Sequence, residues 1–343
     1  MKSVNVAVIG VGAVGVEMLQ ILKQRNFPIN RLRVFARHGR QIAVNDCSYN
    51  VEAIEGQEFD GIDIALFAGT EGEKGASSLY AQKFIEKGAI VIDNGADFRL
   101  KEGVPLVVPE VNEAKIYEHK GLIANPNCTT IQAVVALGGI YKQFGLEKFI
   151  LTSFQATSGA GKRAAQGLWE ETKSVVETNQ NVEYDHLKKR IEIALESGFS
   201  HQIAFNIIPQ IGSIGEEGYT TEEWKVIRET HKIMDNHSIR ITATCARVPV
   251  FTSHSEAIYF KPHKKTAFSE LEEVLQHTKG VKYFPHALPL PLDSEGTDEV
   301  FVGRLRRDPH EENSFWLWCV ADNLRKGAAL NAVQIAEHLL AKQ

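Results

Sequence analysis

A glycine-rich turn near the N-terminus places the strongest constraint on the fold of this chain. Residues 10–15 have the spacing G-x-G-x-x-G, follow a predicted strand at Val4–Ile9 and precede a predicted helix at 14–23. Glycines in this context allow a tight turn and let backbone N–H groups approach a pyrophosphate at the helix N-terminus. The turn therefore predicts a dinucleotide-binding domain, although a glycine turn that binds nothing has the same pattern. The residues predicted to contact the cofactor here are Gly10, Gly12, Ala13, Val14 and Gly15.

The end of the second predicted strand, residues 32–36, indicates which dinucleotide is bound. A site for NAD usually carries an acidic residue here, which hydrogen-bonds the ribose 2′-OH. This sequence instead has Arg37, His38 and Arg40 and no carboxylate. Two arginines and a histidine suit a 2′-phosphate, so we predict NADP rather than NAD. A solvated basic turn is the alternative interpretation.

The order of the predicted elements indicates two domains. In the first third, short β-branched runs alternate with helical patterns, which predicts a parallel sheet with helices on both faces. Beyond residue 128 longer strands are grouped together, which predicts an α+β domain with a mostly antiparallel sheet. A helix over 324–340 is expected to return to the first domain. The fold class is thus α/β, with a Rossmann-type NADP-binding domain over 1–128 and 323–343 and an α+β catalytic domain over 129–322.

Length, charge and cysteine content exclude several other classes of protein. A chain of 343 residues suits about two domains, and a net charge of -5 does not indicate nucleic acid or an anionic membrane as a partner. No apolar run reaches membrane-spanning length, and the first one leads into the glycine turn rather than a signal-peptide cleavage site. Four cysteines without a C-x-x-C pair predict neither a disulfide framework nor a zinc site. We therefore expect a cytoplasmic protein with free thiols and no metal.

The segment around Cys128 is typical of a nucleophile. The sequence N-P-N-C-T-T at 125–130 lies between a predicted strand at Leu122–Ala124 and a predicted helix at 129–143. Polar residues cap such a helix, and its dipole lowers the pKa of a thiol at the N-terminus. Cys128 is therefore predicted to attack as a thiolate. A buried, inert cysteine is the alternative, and this is our interpretation of the three others, Cys47, Cys245 and Cys319.

Other polar residues are candidates of lower specificity when the residues alone are considered. His254 lies between two predicted strands among small polar neighbours and is one of several possible acid/base partners, since a surface histidine has the same pattern. Arg99 ends a polar, strand-like segment that suits a site loop. Glu222 and Lys225 stand at an ordinary capped helix start, which predicts solvated surface residues.

Several separate motifs, in order along nearly the whole chain, resemble those of the aspartate-semialdehyde dehydrogenase family. They are V-V-P-E-V-N at 107–112, the cysteine segment at 125–130, F-Q-A-T-S-G-A-G at 154–161, R-V-P-V at 247–250, H-S-E-A at 254–257 and D-N-L-R-K-G-A-A at 322–329. The resemblance implies NADPH-dependent reduction of L-aspartyl-4-phosphate to L-aspartate 4-semialdehyde with release of inorganic phosphate. This is an early step towards lysine, threonine, methionine and diaminopimelate.

The resemblance also implies a role for each site residue. The Cys128 thiolate would displace phosphate to leave a thioester, hydride from the nicotinamide would give a thiohemiacetal, and His254 would act as the acid/base. Gln155 would position the carbonyl, Arg247 would bind the α-carboxylate and Glu222 the α-ammonium. The implied phosphoryl contacts are Arg99, Lys225 and Asn127. The further implied cofactor contacts are Ser158, Gly159 and Asn323.

The family is usually dimeric, so the resemblance makes 129–322 a catalytic and dimerisation domain and predicts a homodimer. Departures from the family pattern include the shorter turn at 10–15, His38 in place of a usual serine, Asp97, which adds a negative charge to the phosphate segment, and Ser253 in place of a usual glycine. Sibling enzymes such as N-acetyl-glutamyl-phosphate reductase or glyceraldehyde-phosphate dehydrogenase share the cysteine chemistry but fit segment 247–256 less well. A non-catalytic paralogue is a further alternative, which retention of Cys128 and His254 disfavours.

Overall fold

The structure is a computed structural model that describes residues 3–69, 72–178 and 197–342. Its first sheet has seven strands in the order β3-β4-β2-β1-β5-β6-β7. All neighbouring strands in it are parallel except the β3–β4 hairpin. The strands are β1 Val4–Ile9, β2 Ile29–Ala36, β3 Arg40–Val44, β4 Cys47–Ala53, β5 Ile64–Phe67, β6 Ile90–Asp93 and β7 Leu122–Ala124.

Helices cover both faces of this sheet, which explains why its central strands are continuous apolar runs. On one face, helices α1 (Ala13–Gln24) and α9 (Leu330–Ala341) share an apolar cluster with β1, β2 and β5. On the other face, α2 (Ala76–Glu86) packs Phe84 against Phe59 and Phe35. The C-terminal helix therefore packs against the sheet formed by the first third of the chain.

The second sheet has six strands in the order β11-β12-β13-β10-β8-β9. Three of its five strand pairs are antiparallel, and the β11–β12 and β8–β9 pairs are parallel. The predicted fold class is confirmed, with a mixed sheet in which antiparallel pairs are the majority. The strands are β8 Leu146–Gln155, β9 Arg240–Arg247, β10 His254–Pro262, β11 Val281–Phe284, β12 Val300–Arg307 and β13 Phe315–Ala321.

Helix α4 (Cys128–Phe144) joins the two sheets and contributes most of its side chains to the apolar core of the second one. Helices α6 (Thr221–Met234) and α7 (Phe268–His277) complete that core. The remaining helical segments are short or peripheral. They are α3 Pro109–Asn112, α5 Lys162–Thr178, α8 Pro291–Ser294, the 3-10 turns Glu113–Glu118, Thr157–Ala160 and Glu216–Gly218, and a π-helical turn at Arg325–Ala329.

Some predicted elements differ from the structure. The long polar stretch at 162–196 is also predicted from its pattern to be helical; it begins as α5, and residues 179–196 lie outside the described residues. The helix expected at 324–340 is divided into the π-helical turn and α9. Strands β3, β4 and β11 were not predicted, because their alternating exposed positions carry polar side chains and give no apolar run. Across the described ranges, we find no helix that is both long and apolar enough to cross a membrane.

Candidate active site

One cleft of about 570 Å³ lies where the carboxyl ends of strands from both sheets meet. Ligands of open α/β sheets bind at such edges. Residues just after β5, β6 and β7, at the ends of β8 and β9, and at the starts of α1, α4 and α6 all line it. Twelve predicted site residues line this cleft: Ala13, Val14, Arg99, Asn127, Cys128, Gln155, Ser158, Gly159, Glu222, Lys225, Arg247 and Asn323.

Cys128 is the first residue of α4 and its side chain is half-buried at the cleft. Asn127 caps the helix, because its side-chain oxygen accepts hydrogen bonds from the backbone N–H groups of Thr129 (3.0 Å) and Thr130 (3.2 Å). Gly327 packs so closely that a Cβ there would lie 2.9 Å from the Cys128 Cβ. The π-helical turn therefore needs glycine where it passes the thiol.

The expectation that the helix N-terminus lowers the pKa of Cys128 is wrong for this structure. Burial and the neighbouring carboxylate of Glu222 raise the pKa of the Cys128 thiol to about 12. The charges of Arg247 and Arg99 and the backbone N–H of Thr129 act in the opposite direction without prevailing. Burial is therefore the main cause that opposes formation of the thiolate, and Glu222 is the neighbouring charge that adds to it.

We expect Glu222→Gln to lower the pKa of Cys128 and to increase its alkylation by iodoacetamide at mildly alkaline pH. Only the thiolate reacts, and below the pKa each unit of decrease multiplies its population by about ten. The rate–pH profile should shift to lower pH when Cys128 modification is followed by mass spectrometry. Glu223→Gln is the matched control, since Glu223 is a buried neighbour on α6 that accepts from the Thr220 and Cys245 backbone. A profile that stays unchanged in Glu222→Gln would contradict the assignment of this charge effect.

His254 is fully buried and held in one tautomer by the backbone. Its Nδ1 accepts a hydrogen bond from the Ala156 N–H at 3.0 Å, so the neutral ring carries its proton on Nε2. Among the residues that the structure describes, Nε2 has no hydrogen-bond partner. Burial and the positive charge of Arg247 hold the pKa of His254 well below its usual value. At neutral pH the ring is therefore a neutral donor at Nε2.

Strand register brings His254, Gln155 and Arg247 to one end of the second sheet. Gln155 pairs with Arg247 across β8 and β9, and β10 begins at His254 beside the end of β8. Gly159 lies against two of them, since a Cβ there would lie 3.0 Å from Arg247 Nη1 and 3.2 Å from His254 Nε2. A side chain at position 159 would therefore crowd both groups.

Glu222 connects the nucleophile segment to the second sheet. Its Oε1 accepts hydrogen bonds from Asn127 Nδ2 (2.8 Å) and Gln155 Nε2 (3.2 Å), and its Oε2 lies 3.7 Å from Lys225 Nζ. Glu222 is buried and Lys225 is half-buried. The interpretation of both as solvated surface residues, made without the family resemblance, is therefore wrong.

Arg99 enters the cleft from the segment after β6 and is also buried. It donates from Nε to the Asn125 carbonyl (2.9 Å), from Nη2 to the Asn94 carbonyl (2.7 Å) and from Nη1 to Oε1 of Glu229 (3.1 Å). Asp97, the unusual acidic residue of this segment, accepts from the Gly72 N–H and from Ser78. Its carboxylate is thus used to hold the loop before α2.

Sequence reasoning missed Glu229, which is buried on α6 beside Arg99 and the Asn127 backbone. A signal for it exists: Glu229 is seven residues after Glu222, and that spacing places both on one face of a helix. Without a known partner, however, a carboxylate in a charged helix is interpreted as solvent-exposed.

The cofactor-side residues fall into two groups. The glycine turn is closely packed. A Cβ on Gly10 would lie 2.8 Å from the Ala68 carbonyl oxygen, and a Cβ on Gly15 would lie 1.9 Å from the Gly10 carbonyl oxygen. Gly12, by contrast, faces open space. Ser158 and Asn323 hydrogen-bond each other at the cleft wall. By contrast, the basic residues Arg37, His38 and Arg40 are exposed at the end of β2 and the start of β3, outside the cleft lining.

The described segments contain no group of three or more His, Cys, Asp or Glu side chains arranged to hold a metal ion.

Comparison with known families agrees with this architecture. The family model described as semialdehyde dehydrogenase, NAD binding domain, matches residues 5–119. The model described as semialdehyde dehydrogenase, dimerisation domain, matches residues 137–326. The chain is therefore an oxidoreductase of the semialdehyde dehydrogenase class.

Individual relatives define the family more closely. Aspartate-semialdehyde dehydrogenases of Aquifex aeolicus and Bacillus subtilis are 43% and 41% identical to this chain, and each alignment covers 98% of both sequences. The crystal structure of aspartate semialdehyde dehydrogenase II of Vibrio cholerae complexed with ASA has a TM-score of 0.90 and 39% identity over 99% of both chains. This chain belongs to the aspartate-semialdehyde dehydrogenase family.

Proposed function

We propose that this protein reduces L-aspartyl-4-phosphate to L-aspartate 4-semialdehyde with NADPH and releases inorganic phosphate. The observation that carries the proposal is that a cysteine, two buried arginines and a buried glutamate line one cleft, while the buried neutral His254 lies directly against Gly159 of its lining. A thiol nucleophile beside cationic groups suits an acyl phosphate that also carries a carboxylate. The Vibrio cholerae relative complexed with ASA supports the same substrate class.

In the proposed reaction, Cys128 Sγ attacks the acyl carbon, the bond to the phosphate oxygen breaks, and a thioester remains on the enzyme. Arg99, Lys225 and Asn127, which line the cleft, are proposed to bind the phosphoryl group. Arg247 and Glu222 offer a guanidinium and a carboxylate for the α-carboxylate and α-ammonium of the substrate. When that ammonium pairs with Glu222, the charge that raises the pKa of Cys128 is neutralised, which favours the thiolate.

We further propose that His254 acts on the substrate oxygen through Nε2. Because Nδ1 accepts from the Ala156 N–H, Nε2–H is the donor available for an oxyanion on the former carbonyl oxygen. The thiohemiacetal oxyanion held in this way collapses to the aldehyde and expels the Cys128 thiolate. The Gln155 side chain is held by a hydrogen bond from its Nε2 to Thr129 Oγ1 at 2.8 Å. Gln155 is proposed to position the substrate carbonyl.

The residues of the glycine turn fit a dinucleotide. Gly12 faces open space at the N-terminus of α1, no side chain caps that helix, and Ala13 and Val14 line the cleft. Backbone N–H groups at such a helix start suit a pyrophosphate. Ser158, Gly159 and Asn323 would hold the nicotinamide half close to Cys128. When bound, NADPH would supply the hydride for the reduction.

We propose NADP rather than NAD as the cofactor, through the exposed basic group Arg37, His38 and Arg40. We expect Arg37→Ala to raise the KM for NADP roughly tenfold or more, the effect of losing a charge-assisted hydrogen bond to phosphate. The KM for NAD should hardly change. Arg31→Ala, in an exposed arginine of the same strand, is the matched control. Equal effects of Arg37→Ala on both cofactors would contradict a 2′-phosphate site here.

The function itself is tested by following formation of NADPH from NADP with L-aspartate 4-semialdehyde and phosphate. Phosphate-dependent turnover supports the proposal. A panel with N-acetyl-glutamate semialdehyde and glyceraldehyde 3-phosphate separates the sibling enzymes, and faster turnover of either would replace the proposed substrate. A folded protein without turnover on any of them would favour the non-catalytic paralogue.

Other proposals concern organisation and cellular role. We propose domain limits of 1–128 with 323–343 and of 129–322, and a homodimer formed through the latter, which the match to a dimerisation domain supports. Exposed apolar side chains such as Trp169 and Phe205 lie in that part of the chain. We also propose a cytoplasmic enzyme of lysine, threonine and methionine biosynthesis. Sedimentation equilibrium, expected to give twice the chain mass, tests the dimer.

A further inference from the structure

Helix α6 presents one polar stripe to the loops that carry the phosphate-binding and nucleophile segments. Its members Glu222, Glu229 and Lys232 are seven and three residues apart, so they lie on one helical face. Each contacts a loop that follows a strand of the first sheet: Glu222 and Glu229 contact Asn127, and Glu229 and Lys232 contact Arg99. The stripe therefore connects the two halves of the molecule at the cleft.

Glu229 accepts hydrogen bonds from both Arg99 and Asn127. Its Oε1 accepts from Arg99 Nη1 at 3.1 Å, and its Oε2 accepts from the Asn127 backbone N–H at 2.7 Å. Its side chain is 1% exposed and that of Arg99 is 7% exposed, so water does not screen this ion pair. Moving either partner would leave a charge or a backbone N–H buried without compensation.

The two contacts of Glu229 affect different parts of the active site. Through Arg99, Glu229 sets the direction of a guanidinium that lines the cleft. Through the Asn127 N–H, it holds the Pro126–Asn127 peptide, one residue before Cys128, while the Asn127 side chain caps the helix that begins at Cys128. We infer that Glu229 is a positioning residue that holds Arg99 and the nucleophile segment in register for a phosphoryl group. This inference rests on the proposed function, because it assigns Arg99 to the phosphate.

A purely structural ion pair is the competing explanation, and it makes different predictions. Glu229→Gln retains the shape and can satisfy only one of the two donors, because its amide nitrogen would face the other one. If Gln accepts from Asn127, its NH₂ group opposes the guanidinium of Arg99. We therefore expect the KM for phosphate to rise roughly ten- to a hundredfold, the effect of losing a hydrogen bond to a charged group. The KM for the semialdehyde should change much less.

Glu223→Gln is the matched control, because it removes another buried carboxylate from α6 without contacting Arg99 or Asn127. It should leave the KM for phosphate close to that of the wild type. A double-mutant cycle with Arg99→Lys tests the route of the effect, since Glu229→Gln should add little once the guanidinium is absent. Glu229→Asp is the alternative variant if Glu229→Gln does not fold. Aspartate keeps the charge but is one methylene too short to reach both donors, so this variant should also raise the KM for phosphate.

The outcomes separate this inference from the function on which it rests. The positioning role is supported if the wild type turns over and Glu229→Gln selectively raises the KM for phosphate. In the Arg99→Lys background, Glu229→Gln should then cause no further rise. An active wild type with an unchanged KM for phosphate in Glu229→Gln and Glu229→Asp overturns the inference alone. An additive double-mutant cycle also overturns it. An inactive, folded wild type overturns the proposed function and this inference with it.

Discussion

Replacement of Cys128 by serine is expected to reduce phosphate-dependent turnover by roughly 10⁴-fold or more, the scale seen when a catalytic nucleophile is lost. Serine keeps the size and the helix start but replaces the thiol with a much less acidic hydroxyl. Among the described residues, His254 is the candidate base, and it cannot compensate because it carries its proton on Nε2 and has a depressed pKa. Turnover of L-aspartate 4-semialdehyde with NADP and phosphate measures the effect.

Two controls make that result specific. Cys128→Ser should retain the thermal unfolding midpoint and NADP affinity of the wild type, because serine differs from cysteine by one atom and can occupy the first position of α4. Cys47→Ser should leave turnover unchanged, since Cys47 is a half-buried residue on the edge hairpin, where Lys23 donates to its sulfur. Substantial turnover in Cys128→Ser would exclude a thioester on this residue.

The parts of the fold that could be predicted are those whose signal is local. Strands β1 and β7 match their predicted limits, because apolar runs buried on both faces or bounded by turn residues need no partner to be recognised. The β3–β4 hairpin could not be predicted, because it is a half-exposed edge held by cross-strand pairing. Its stability depends on contacts with neighbouring strands, and the local sequence pattern does not reveal these contacts.

The same distinction between local and non-local signals applies to the active site. Cys128 and the glycine turn stand in recognisable strand–turn–helix contexts, so local reasoning located them. The residues alone identified neither Glu222 nor Glu229 as a site residue, because a buried carboxylate differs from a solvated one only in its partners, and Glu222 was predicted only through the family resemblance. The pKa of Cys128 was predicted in the wrong direction for the same reason: the helix start is local, whereas Glu222 lies 94 positions away in the chain and still contacts the residue before the thiol.

The largest effect on stability is expected at Lys326, which no sequence argument identified. Its Nζ is fully buried and donates to both oxygens of Glu110 at 2.8 Å, to Gln334 at 2.7 Å and to Asn331 at 3.1 Å. Lys326→Met removes the cation and leaves the Glu110 carboxylate buried, which costs about 3–5 kcal/mol. We expect a large decrease in the urea midpoint of unfolding. Because Lys326 precedes Gly327 in the π-helical turn that packs on Cys128, turnover should fall as well.

The double variant Lys326→Met/Glu110→Leu separates loss of the ion pair from loss of packing. Replacing both members of a buried pair by apolar residues is often neutral, so the second substitution should recover a large part of the midpoint. Recovery is expected to be incomplete, because Asn331 and Gln334 lose the ammonium donor. Lys87→Met, at a surface lysine paired with Asp60, is the matched control and should leave the midpoint almost unchanged. If Lys326→Met unfolds like the wild type, the buried charge of Glu110 must be neutralised in another way, and the pair does not hold the turn beside the nucleophile.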